Sequence, residues 1–303
     1  MTILVTGGCG FIGSNLVRRL AGRGGRVRIL DDLSVGTRDN LPPSPDVELV
    51  VGDIRDAAVV ARAVDGVEAI VHLAASTGVP DSVRDPTTDF DTNVLGTFHL
   101  LRAGVAASVR RFVFASSNAA VGEHPPPVDE RCLPRPISPY GAGKLAGEGY
   151  CAAFAAAYGL TAFVLRFSNV YGPYSTHKTS VVARFIREGL EKDAVTVYGD
   201  GRQTRDFLYV EDLCSAVDGA LRATGSGDVF QIASGTETTV LRLVELVREV
   251  SGRDFKIVFA PARPGDIARN VSDIGKATRL LGYRPTVRLE DGLRRTCDWF
   301  LRR

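Results

Sequence analysis

A glycine-rich turn between a short apolar run and a helical pattern is the strongest constraint on how this chain can fold. The run Ile3-Leu4-Val5 is followed by Thr6-Gly-Gly-Cys-Gly-Phe-Ile-Gly13, which opens the helical pattern FIGSNLVRRLAG. Glycines permit a tight turn there and let backbone N–H groups approach a pyrophosphate, whose charge the helix N-terminus favours. A strand before the turn and a helix after it are the context that a dinucleotide-binding fingerprint requires. We therefore expect the pyrophosphate contacts to come from Gly7, Gly10, Phe11, Ile12 and Gly13.

Acidic residues follow the next two strand patterns. Asp31 and Asp32 end the pattern RVRILD, and a carboxylate there accepts hydrogen bonds from the adenosine ribose hydroxyls and repels a 2′-phosphate. The sequence therefore predicts NAD rather than NADP; the alternative for this pair is a solvated turn. Asp53 and Ile54, after the third strand pattern, are candidates to border the adenine, although a helix N-cap explains Asp53 almost as well.

The first half of the chain alternates β-branched runs such as RVRILD and AIVHLAA with helical stretches such as AAVVARAV and VLGTFHLLRAGVAA. Such alternation predicts an α/β fold, a doubly wound parallel sheet of the Rossmann type with right-handed crossover helices. After Asn169 the pattern loosens into polar loops and short helices. We expect an NAD-binding Rossmann domain at residues 1–170, to which parts of about 206–234 return, and a smaller α/β carboxy-terminal substrate lobe at 171–303.

Composition and charge exclude several classes of function. The 37 basic and 35 acidic side chains give a net charge of +2 without blocks of like charge, so neither a nucleic-acid nor a membrane surface is indicated. The five cysteines are scattered and never spaced CxxC, and the four histidines share no metal-ligand spacing, so we predict no disulfide framework and no metal site. The first residues do not have the pattern of a signal peptide and no apolar run reaches membrane-spanning length, so we expect a cytoplasmic protein.

The segment Ser138-Pro-Tyr-Gly-Ala-Gly-Lys144 places Tyr140 one helical turn before Lys144 at the start of a long helical pattern. The preceding strand pattern ends in Ser116 and Ser117, at the carboxyl edge where open α/β sheets bind ligands. A lysine ammonium on the same helix face and a nicotinamide cation both favour phenolate, so the pKa of Tyr140 is expected to fall from about 10 toward neutrality. We predict Tyr140 as a general base or acid on a substrate hydroxyl, with Ser117 sharing the proton. The alternative is an ordinary half-buried tyrosine beside a surface lysine.

Taken together, TGGCGFIG, Asp31, VHLAA at 71–75, Asn93, Ser117 and Tyr140-x-x-x-Lys144 resemble the extended short-chain dehydrogenase/reductase superfamily, in its nucleotide-sugar epimerase/dehydratase branch. The resemblance covers essentially the whole chain. It implies that NAD is also contacted by Leu73, Ala74, Ala75, Asn93, Tyr140 and Lys144. It further implies that three segments hold a nucleoside diphosphate, RFSNVYGP at 166–173, YGDGRQTRD at 198–206 and RPGD at 263–266, through Asn169, Tyr198, Arg205, Arg263 and Asp266.

The residues after Ser117 narrow the reaction that the resemblance implies. Family dehydratases carry an Asp-Glu pair there and decarboxylating relatives carry the Glu, whereas this chain has Asn118 and Ala119. The resemblance therefore implies NAD-dependent epimerisation at C4 of a UDP-hexose through a transient 4-keto sugar, with Ser117 and Asn118 beside the substrate. Two other interpretations stay open: another NAD-dependent nucleotide-sugar epimerase or dehydrogenase, for example on a UDP-uronic acid, and a non-catalytic NAD-binding sensor.

Three further residues bear on the substrate. In related epimerases the residue seven positions after the diphosphate-binding arginine borders the C2 substituent, and a tyrosine there excludes N-acetylated hexoses. The corresponding residue here is Asn270, so the resemblance implies tolerance of an N-acetyl group, while capping of the following segment explains Asn270 equally well. His177 and Lys178 lie in the polar loop YSTHKTS, where either a substrate contact or a solvated position is open.

The alanine-rich helical pattern that follows Lys144 is apolar nearly all round. Close packing on the sheet explains this composition, and so does burial in a subunit interface. The resemblance implies a homodimer, in which residues 140–158 pack together with the helix around 94–106.

Overall fold

The computed structural model of the protein describes residues 1–262 and 267–302. The strands are β1 (Thr2–Thr6), β2 (Arg26–Asp31), β3 (Val47–Val51), β4 (Ala69–His72), β5 (Arg111–Ser117), β6 (Thr161–Phe167), β7 (Asn169–Tyr171), β8 (Ala194–Tyr198), β9 (Thr204–Tyr209), β10 (Asp228–Ile232), β11 (Glu237–Thr239) and β12 (Lys256–Ala260). The helices are α1 (Phe11–Ala21), α2 (Ala57–Val64), α3 (Val79–Arg84), α4 (Pro86–Phe90), α5 (Gly96–Ala106), α6 (Pro139–Tyr158), α7 (Val181–Glu191), α8 (Val210–Arg222), α9 (Val240–Ser251), α10 (Gly275–Leu281) and α11 (Leu289–Leu301).

In the described part of the chain, the central sheet has seven strands in the order β10-β6-β5-β4-β1-β2-β3. Every neighbouring pair is parallel. Parallel neighbours need crossover connections, and helices supply them on both faces. The α/β, doubly wound parallel sheet that the sequence predicts is therefore confirmed.

Strand alternation divides the core of this sheet into two layers. Ile3 and Val5 of β1 belong to one apolar cluster together with side chains of α1 and α8, while Leu4 belongs to a second cluster with side chains of α2, α5 and α6. Successive side chains of a strand point to opposite faces, so a strand covered by helices on both sides must be apolar at nearly every position. All four residues of β4 are buried for this reason.

The remaining strands form two small sheets in the carboxy-terminal half. One has the order β11-β9-β7 and the other pairs β12 with β8. Their apolar faces share a third cluster with α7, α9 and α11. The chain returns to the central sheet through α8, which packs on α1, and through β10, which pairs with β6. None of the described helices has both the length and the apolar character needed to span a membrane.

Helix α6 lies directly on β5 because small residues face the strand. A Cβ on Gly147 would overlap the ring of Phe114, which is fully buried on β5. Two residues later, a Cβ on Gly149 would have no atom within 4 Å. Close packing therefore requires a glycine at position 147 but not at position 149. Gly147 sets the distance between α6 and the sheet.

We predict opposite effects for two matched substitutions in α6. Gly147→Ala should lower the free energy of unfolding by about 1 to 3 kcal/mol, because Phe114 or the helix must move. Gly149→Ala should raise it by about 0.5 to 1 kcal/mol, because alanine favours the helix and meets nothing. Urea denaturation of both variants measures the difference, and equal shifts would contradict the packing described for Gly147.

Candidate active site

Three segments meet at the carboxyl edge of the central sheet: the turn after β1, the segment after β4 and the end of β5. Strand β1 lies between β4 and β2, so the strand order reverses beside it. Open α/β sheets bind ligands at such a switch point. Helix α6 starts at this edge because the Ser138 hydroxyl caps it, accepting from the Gly141 N–H at 3.1 Å, and because Pro139 occupies its first turn.

Close backbone packing explains the glycines of the turn after β1. Gly7 has φ +68°, and a Cβ there would lie 2.8 Å from the Ala74 nitrogen. A Cβ on Gly13 would overlap the Gly7 carbonyl oxygen. At Gly10 the nearest atom would be the Gly7 oxygen at 3.4 Å, so Gly10 borders open space. Gly7 and Gly13 close the turn, whereas Gly10 leaves the outer side of the turn accessible.

The N-terminus of α1 faces this accessible side. Its N-cap, Gly10, is extended and makes no side-chain cap hydrogen bond, and the first intrahelical bond of the turn runs from the Ser14 N–H to the Gly10 oxygen. The N–H groups of Phe11, Ile12 and Gly13 precede that bond and are the donors that a helix start offers to an anion. These features fit the pyrophosphate of a dinucleotide.

Asp31 lies at the end of β2, next to this turn. Its side chain is 7% exposed, and its two oxygens accept from the Cys9 and Leu33 N–H groups, each at 2.9 Å. Burial raises the pKa of Asp31, while these two hydrogen bonds act in the opposite direction. Asp32 is exposed, and one of its oxygens accepts from the Ser34 N–H and hydroxyl at 3.0 and 2.6 Å, closing a local turn.

The residues after β3 do not have the arrangement that one of the two interpretations of Asp53, the helix N-cap, predicted. The N-cap of α2 is Asp56, which accepts from the Ala58 and Val59 N–H groups at 2.8 and 3.1 Å. Asp53 instead forms an ion pair with Arg55, and this hydrogen-bonded pair holds the pKa of Asp53 below its usual range. The N-cap explanation of Asp53 is therefore wrong. Ile54 is buried among the residues that pack against α5.

A buried chain of hydrogen bonds fixes the segment after β4. The Thr6 Oγ1 accepts from the N–H groups of Leu73 and Ala74 at 3.2 and 3.1 Å, and it lies 2.8 Å from the His72 Nδ1. The His72 Nε2 lies 2.9 Å from the Thr97 Oγ1, and that hydroxyl donates to the Asn93 carbonyl at 2.7 Å. Since each hydroxyl has one proton, Thr6 donates to Nδ1 and the Nε2–H of His72 donates to Thr97.

Burial keeps His72 neutral, because it lowers the His72 pKa to about 3. The chain of bonds therefore connects Leu73 and Ala74 to Asn93, which lies in the π-helical turn Asp91–Leu95 between α4 and α5. Ala75 follows directly in the same segment and is half-buried. The structure thus brings Leu73, Ala74, Ala75 and Asn93 to the same edge as the glycine turn.

One atom of Asn93 has no partner among the described residues. The Asn93 amide nitrogen donates to the Ser76 carbonyl at 3.0 Å and to Asp89 Oδ1 at 2.8 Å, whereas its Oδ1 is buried and makes no hydrogen bond. A buried acceptor without a partner is costly, and a ligand donor would remove that cost. The residues present therefore fit a bound dinucleotide, with Asn93 as one of its candidate contacts.

Tyr140, Lys144 and Ser117 come together at the start of α6. The Lys144 ammonium is buried, donates to the Ala115 carbonyl at 2.9 Å and lies 5.8 Å from the centre of the Tyr140 ring. The Ser117 hydroxyl accepts from the Ala119 N–H at 3.2 Å and is hydrogen-bonded to the Tyr140 phenol. The arrangement offers a phenol, a hydroxyl and a cation to a single substrate group.

The direction of the Tyr140 pKa in the protein chain differs from the sequence expectation. Burial raises the pKa of Tyr140 to about 12, although the hydrogen bond to Ser117 acts to lower it. Burial also lowers the pKa of Lys144 to about 8. Desolvation disfavours the charged form of both groups and is the largest contribution to each shift. The expected fall of the Tyr140 pKa is therefore wrong for the chain by itself.

A buried ion pair behind this trio was missed at the sequence level. Glu148, one turn after Lys144, accepts from the Arg166 Nε at 2.9 Å and Nη2 at 2.6 Å, and from the Ser116 hydroxyl at 2.5 Å. Both charged side chains are about 95% buried. The spacing Lys144-x-x-x-Glu148 was the available signal. Arg166 begins a segment that the resemblance assigns to the diphosphate, but its guanidinium is paired with Glu148.

Asn118 and Asn270 each have a buried, unpartnered Oδ1 among the described residues. The Asn118 amide nitrogen donates to the Ser272 hydroxyl at 3.0 Å, two residues beyond Asn270. The buried Asp206 carboxylate fixes this region, because it accepts from the N–H groups of Ser234, Gly235 and Ser272 at 2.8 to 3.4 Å. The structure thus brings the segment of Asn270 to the side of Asn118.

The other predicted diphosphate contacts lie in the carboxy-terminal half. The Asn169 amide donates to the Asp206 carbonyl at 3.4 Å, and the Arg205 Nη1 donates to the carbonyls of Thr204 and Ile267 at 2.7 and 2.6 Å. Tyr198 ends β8, and the Arg184 guanidinium lies 5.0 Å from its ring centre. Arg263 and Asp266 fall outside the described residues. Over residues 1–262 and 267–302, no group of His, Cys, Asp and Glu side chains is arranged to hold a metal ion.

Residues 3–233 match the model of the NAD dependent epimerase/dehydratase family. A putative UDP-glucose 4-epimerase of Methanocaldococcus jannaschii is 37% identical over 302 residues, 98% of this chain and 97% of the relative. A dTDP-glucose 4,6-dehydratase of Streptomyces niveus is 37% identical over 312 residues, 99% of this chain and 93% of the relative.

Among solved structures, the UDP-glucose 4-epimerase of Thermotoga maritima with UDP-glucose has a TM-score of 0.94 and 38% identity, covering 100% of this chain and 99% of that one. The chain belongs to the NAD dependent epimerase/dehydratase family. The glycine turn, Asp31 and Asn93 are accordingly its candidate contacts for NAD.

Proposed function

We propose that the protein interconverts the C4 epimers of a UDP-hexose, UDP-glucose and UDP-galactose, through a transient 4-keto sugar. The observation that carries this proposal is that Tyr140, Ser117 and Lys144 lie together. The two residues directly after Ser117, Asn118 and Ala119, have an amide and a methyl side chain. NAD, when bound, would supply reversible hydride acceptance for C4 of the sugar, and its positively charged ring would favour the phenolate of Tyr140.

Tyr140 removes the proton of the C4 hydroxyl and returns it after the sugar has turned. Ser117 is hydrogen-bonded to the phenol and shares that proton. Lys144 is held against the Ala115 carbonyl, so its ammonium stays beside the tyrosine ring and stabilises the phenolate as it forms. A base whose unperturbed pKa is high needs such a cation to work near neutral pH.

Dehydration needs a further acid and base to remove the C6 hydroxyl, and Asn118 and Ala119 supply neither at the positions after Ser117. The unpartnered Asn118 Oδ1 is instead a neutral acceptor for a sugar hydroxyl. The reversible oxidation of one hydroxyl is the chemistry for which the groups present suffice. A dehydrogenase with net turnover would accumulate reduced cofactor, which the absorbance of reduced nicotinamide detects.

We predict that Tyr140→Phe lowers kcat by about 10²-fold or more, because the proton acceptor is lost. NAD should stay bound, since the turn after β1 is unchanged. The assay is NMR of UDP-glucose and UDP-galactose after incubation, with cofactor binding measured separately. Tyr158→Phe makes the same change at the exposed end of α6 and should have wild-type activity. Retention of more than about a tenth of wild-type kcat in Tyr140→Phe would exclude Tyr140 as the base.

We also propose that residues 171–303, apart from the part that returns to the central sheet, hold the nucleoside diphosphate together with Asn169 at the end of the Rossmann domain; the contacts within 171–303 are Tyr198, Arg205, Arg263 and Asp266. Arginine suits a diphosphate because its guanidinium donates two parallel hydrogen bonds. Asn270 is proposed to border the C2 substituent of the sugar, and its buried, unpartnered Oδ1 supports a polar contact there.

We predict that the enzyme accepts UDP-N-acetylglucosamine and that Asn270→Tyr excludes it. Tyrosine fills the space beside C2, so the ratio of kcat/KM for the acetylated sugar to that for UDP-glucose should fall. The expected fall corresponds to more than about 1 kcal/mol in the difference between the two transition-state free energies. Asn270→Ser, which leaves the space open, is the matched control. The proposal fails if wild type rejects the acetylated sugar or if tyrosine leaves the ratio unchanged.

The subunit arrangement that we propose is a cytoplasmic homodimer joined through α5 and α6. Exposed apolar side chains on and beside these helices support it: Val83, Phe90, Leu95, Tyr150 and Tyr158. The Tyr150 ring packs edge-on against Phe98 at 5.5 Å, so part of this surface is already ordered within one chain. Apolar surface of this kind is typical of an interface between subunits.

We predict a dimer in sedimentation experiments at micromolar concentration. Tyr150→Arg should shift the protein toward monomer, because a two-fold interface buries the new charge twice. Phe259→Arg alters an exposed aromatic residue of β12, away from α5 and α6, and should leave the dimer intact. A monomeric wild type would rule out the arrangement.

A further inference from the structure

Asp89, on α4, is a buried carboxylate beside the candidate active site. It is 2% exposed, and its Oδ1 accepts from the Asn93 amide nitrogen at 2.8 Å. Among the described residues no cation lies within 4 Å of this carboxylate. Burial raises the pKa of Asp89, while the Asn93 hydrogen bond and the charge of Lys144 act to lower it. Burying a carboxylate in this way is costly, and a role in the site would explain the cost.

The hydrogen bonds of Asn93 fix which way its side-chain amide faces. The Ser76 carbonyl and the ionised Asp89 carboxylate can only accept, and both accept from the amide nitrogen. Rotating the amide by half a turn would place its oxygen against two acceptors. The Asn93 Oδ1 therefore faces away from them, buried and without a partner among the described residues. Asp89 thus helps to keep this oxygen free for a ligand donor.

The N-terminal part of α6 lies directly on this pair. A Cβ on Gly143 would lie 3.2 Å from the Asp89 Oδ2 and 3.2 Å from the Asn93 Cβ. Helices α4 and α6 pack together at this contact. The α6 backbone just before Lys144, and within one turn of Tyr140, is therefore in contact with Asp89 and Asn93.

The charge of Asp89 acts on both of these α6 side chains. Burial lowers the pKa of Lys144, and the charge of Asp89 acts in the opposite direction. Burial raises the pKa of Tyr140, and the charge of Asp89 adds to that effect. The negative charge therefore favours the protonated form of each group, most usefully the ammonium of Lys144.

Other charged and titratable groups around Lys144 act less favourably on its ammonium. Lys178 lowers the pKa of Lys144, while Glu148 raises it but is already paired with an arginine at 2.6 Å. His72, on β4, is neutral because burial lowers its pKa to about 3. In the part of the chain that the structure describes, Asp89 is therefore the main counter-charge of Lys144.

We propose that Asp89 is a positioning residue of the active site, which holds the Asn93 amide with its oxygen free to accept from the bound dinucleotide and serves as the counter-charge of the Lys144 ammonium. The inference rests on the proposed function, which gives Tyr140 and Lys144 their roles. Asp89 lies beneath α6 and acts through Asn93 and Lys144.

The first test removes the charge and keeps the shape. Asp89→Asn still offers an acceptor to the Asn93 amide nitrogen. The chain has five lysines, so isotope-labelled lysine gives few NMR signals, and the signal missing in Lys144→Met identifies Lys144. In Asp89→Asn the titration midpoint of Lys144 should move to lower pH by about 0.5 or more, because a charge that favours the ammonium is lost. The alkaline limb of the kcat–pH profile should move in the same direction.

Asp85→Asn is the matched control for this test. Asp85 is exposed and caps the same helix, accepting from the Thr88 N–H at 3.0 Å. Asparagine is an equally good N-cap, so the variant removes a charge from α4 without removing the cap. The Lys144 midpoint should stay at its wild-type value.

The second test measures NAD affinity by equilibrium titration. Asp89→Leu removes the acceptor as well as the charge, so the Asn93 amide loses one of the two bonds that orient it. The affinity for NAD should fall about tenfold. In Asp89→Asn, which keeps the acceptor, it should stay within about threefold of wild type.

Three outcomes would overturn the proposal. An unchanged Lys144 midpoint in Asp89→Asn would exclude the counter-charge. Wild-type NAD affinity in Asp89→Leu, or an equal loss in Asp89→Asn and Asp89→Leu, would exclude the positioning of Asn93. The midpoint in Asp89→Asn decides the proposal even where Asp89→Leu does not fold. Neither the NMR titration nor the NAD titration depends on turnover, so a protein that epimerises no sugar contradicts the proposed function alone.

Discussion

The docking of α6 against β5 is the interaction on which the candidate site depends. Three α6 residues spaced one helical turn apart, Tyr140, Lys144 and Glu148, bond to three consecutive residues of β5. The Glu148–Arg166 pair extends this contact to β6, and removing one partner of a buried ion pair leaves a costly uncompensated charge. The helix can lie this close because Gly147 has no side chain against Phe114. The position of the phenol is therefore set by the packing of the sheet.

Burial has a second effect, which is electrostatic. It raises the pKa of Tyr140 and lowers the pKa of Lys144, so both groups resist ionisation in the chain itself. The low polarity that resists ionisation also strengthens every charge–charge interaction within the site. A charged ligand therefore has a strong electrostatic effect on the ionisation of Tyr140. The neutral His72 and the Thr6–His72–Thr97–Asn93 bonds hold the surrounding edge without adding a competing charge.

The amino-acid sequence was sufficient to predict the α/β class and the parallel sheet, because β-branched runs alternate with helical periods and a glycine turn follows β1. It also predicted that Tyr140, Lys144 and Ser117 would meet, since strand ends and helix starts share one edge of such a sheet. The N-cap of α2 was missed because Asp53 and Asp56 are both acidic, and only backbone geometry distinguishes them. The Glu148–Arg166 pair and the direction of the Tyr140 pKa depend on burial, which residue spacing along the chain does not reveal.

The most direct test of the central claim, that this site oxidises and re-reduces one sugar carbon, is an isotope measurement. UDP-glucose labelled with deuterium at C4 is incubated with the protein in ordinary water, and the UDP-galactose formed is analysed by NMR and mass spectrometry. The account predicts that the deuterium is retained at C4, because the hydrogen that leaves this carbon returns to it inside a closed site. UDP-galactose with solvent hydrogen at C4, or no formation of UDP-galactose, would contradict it.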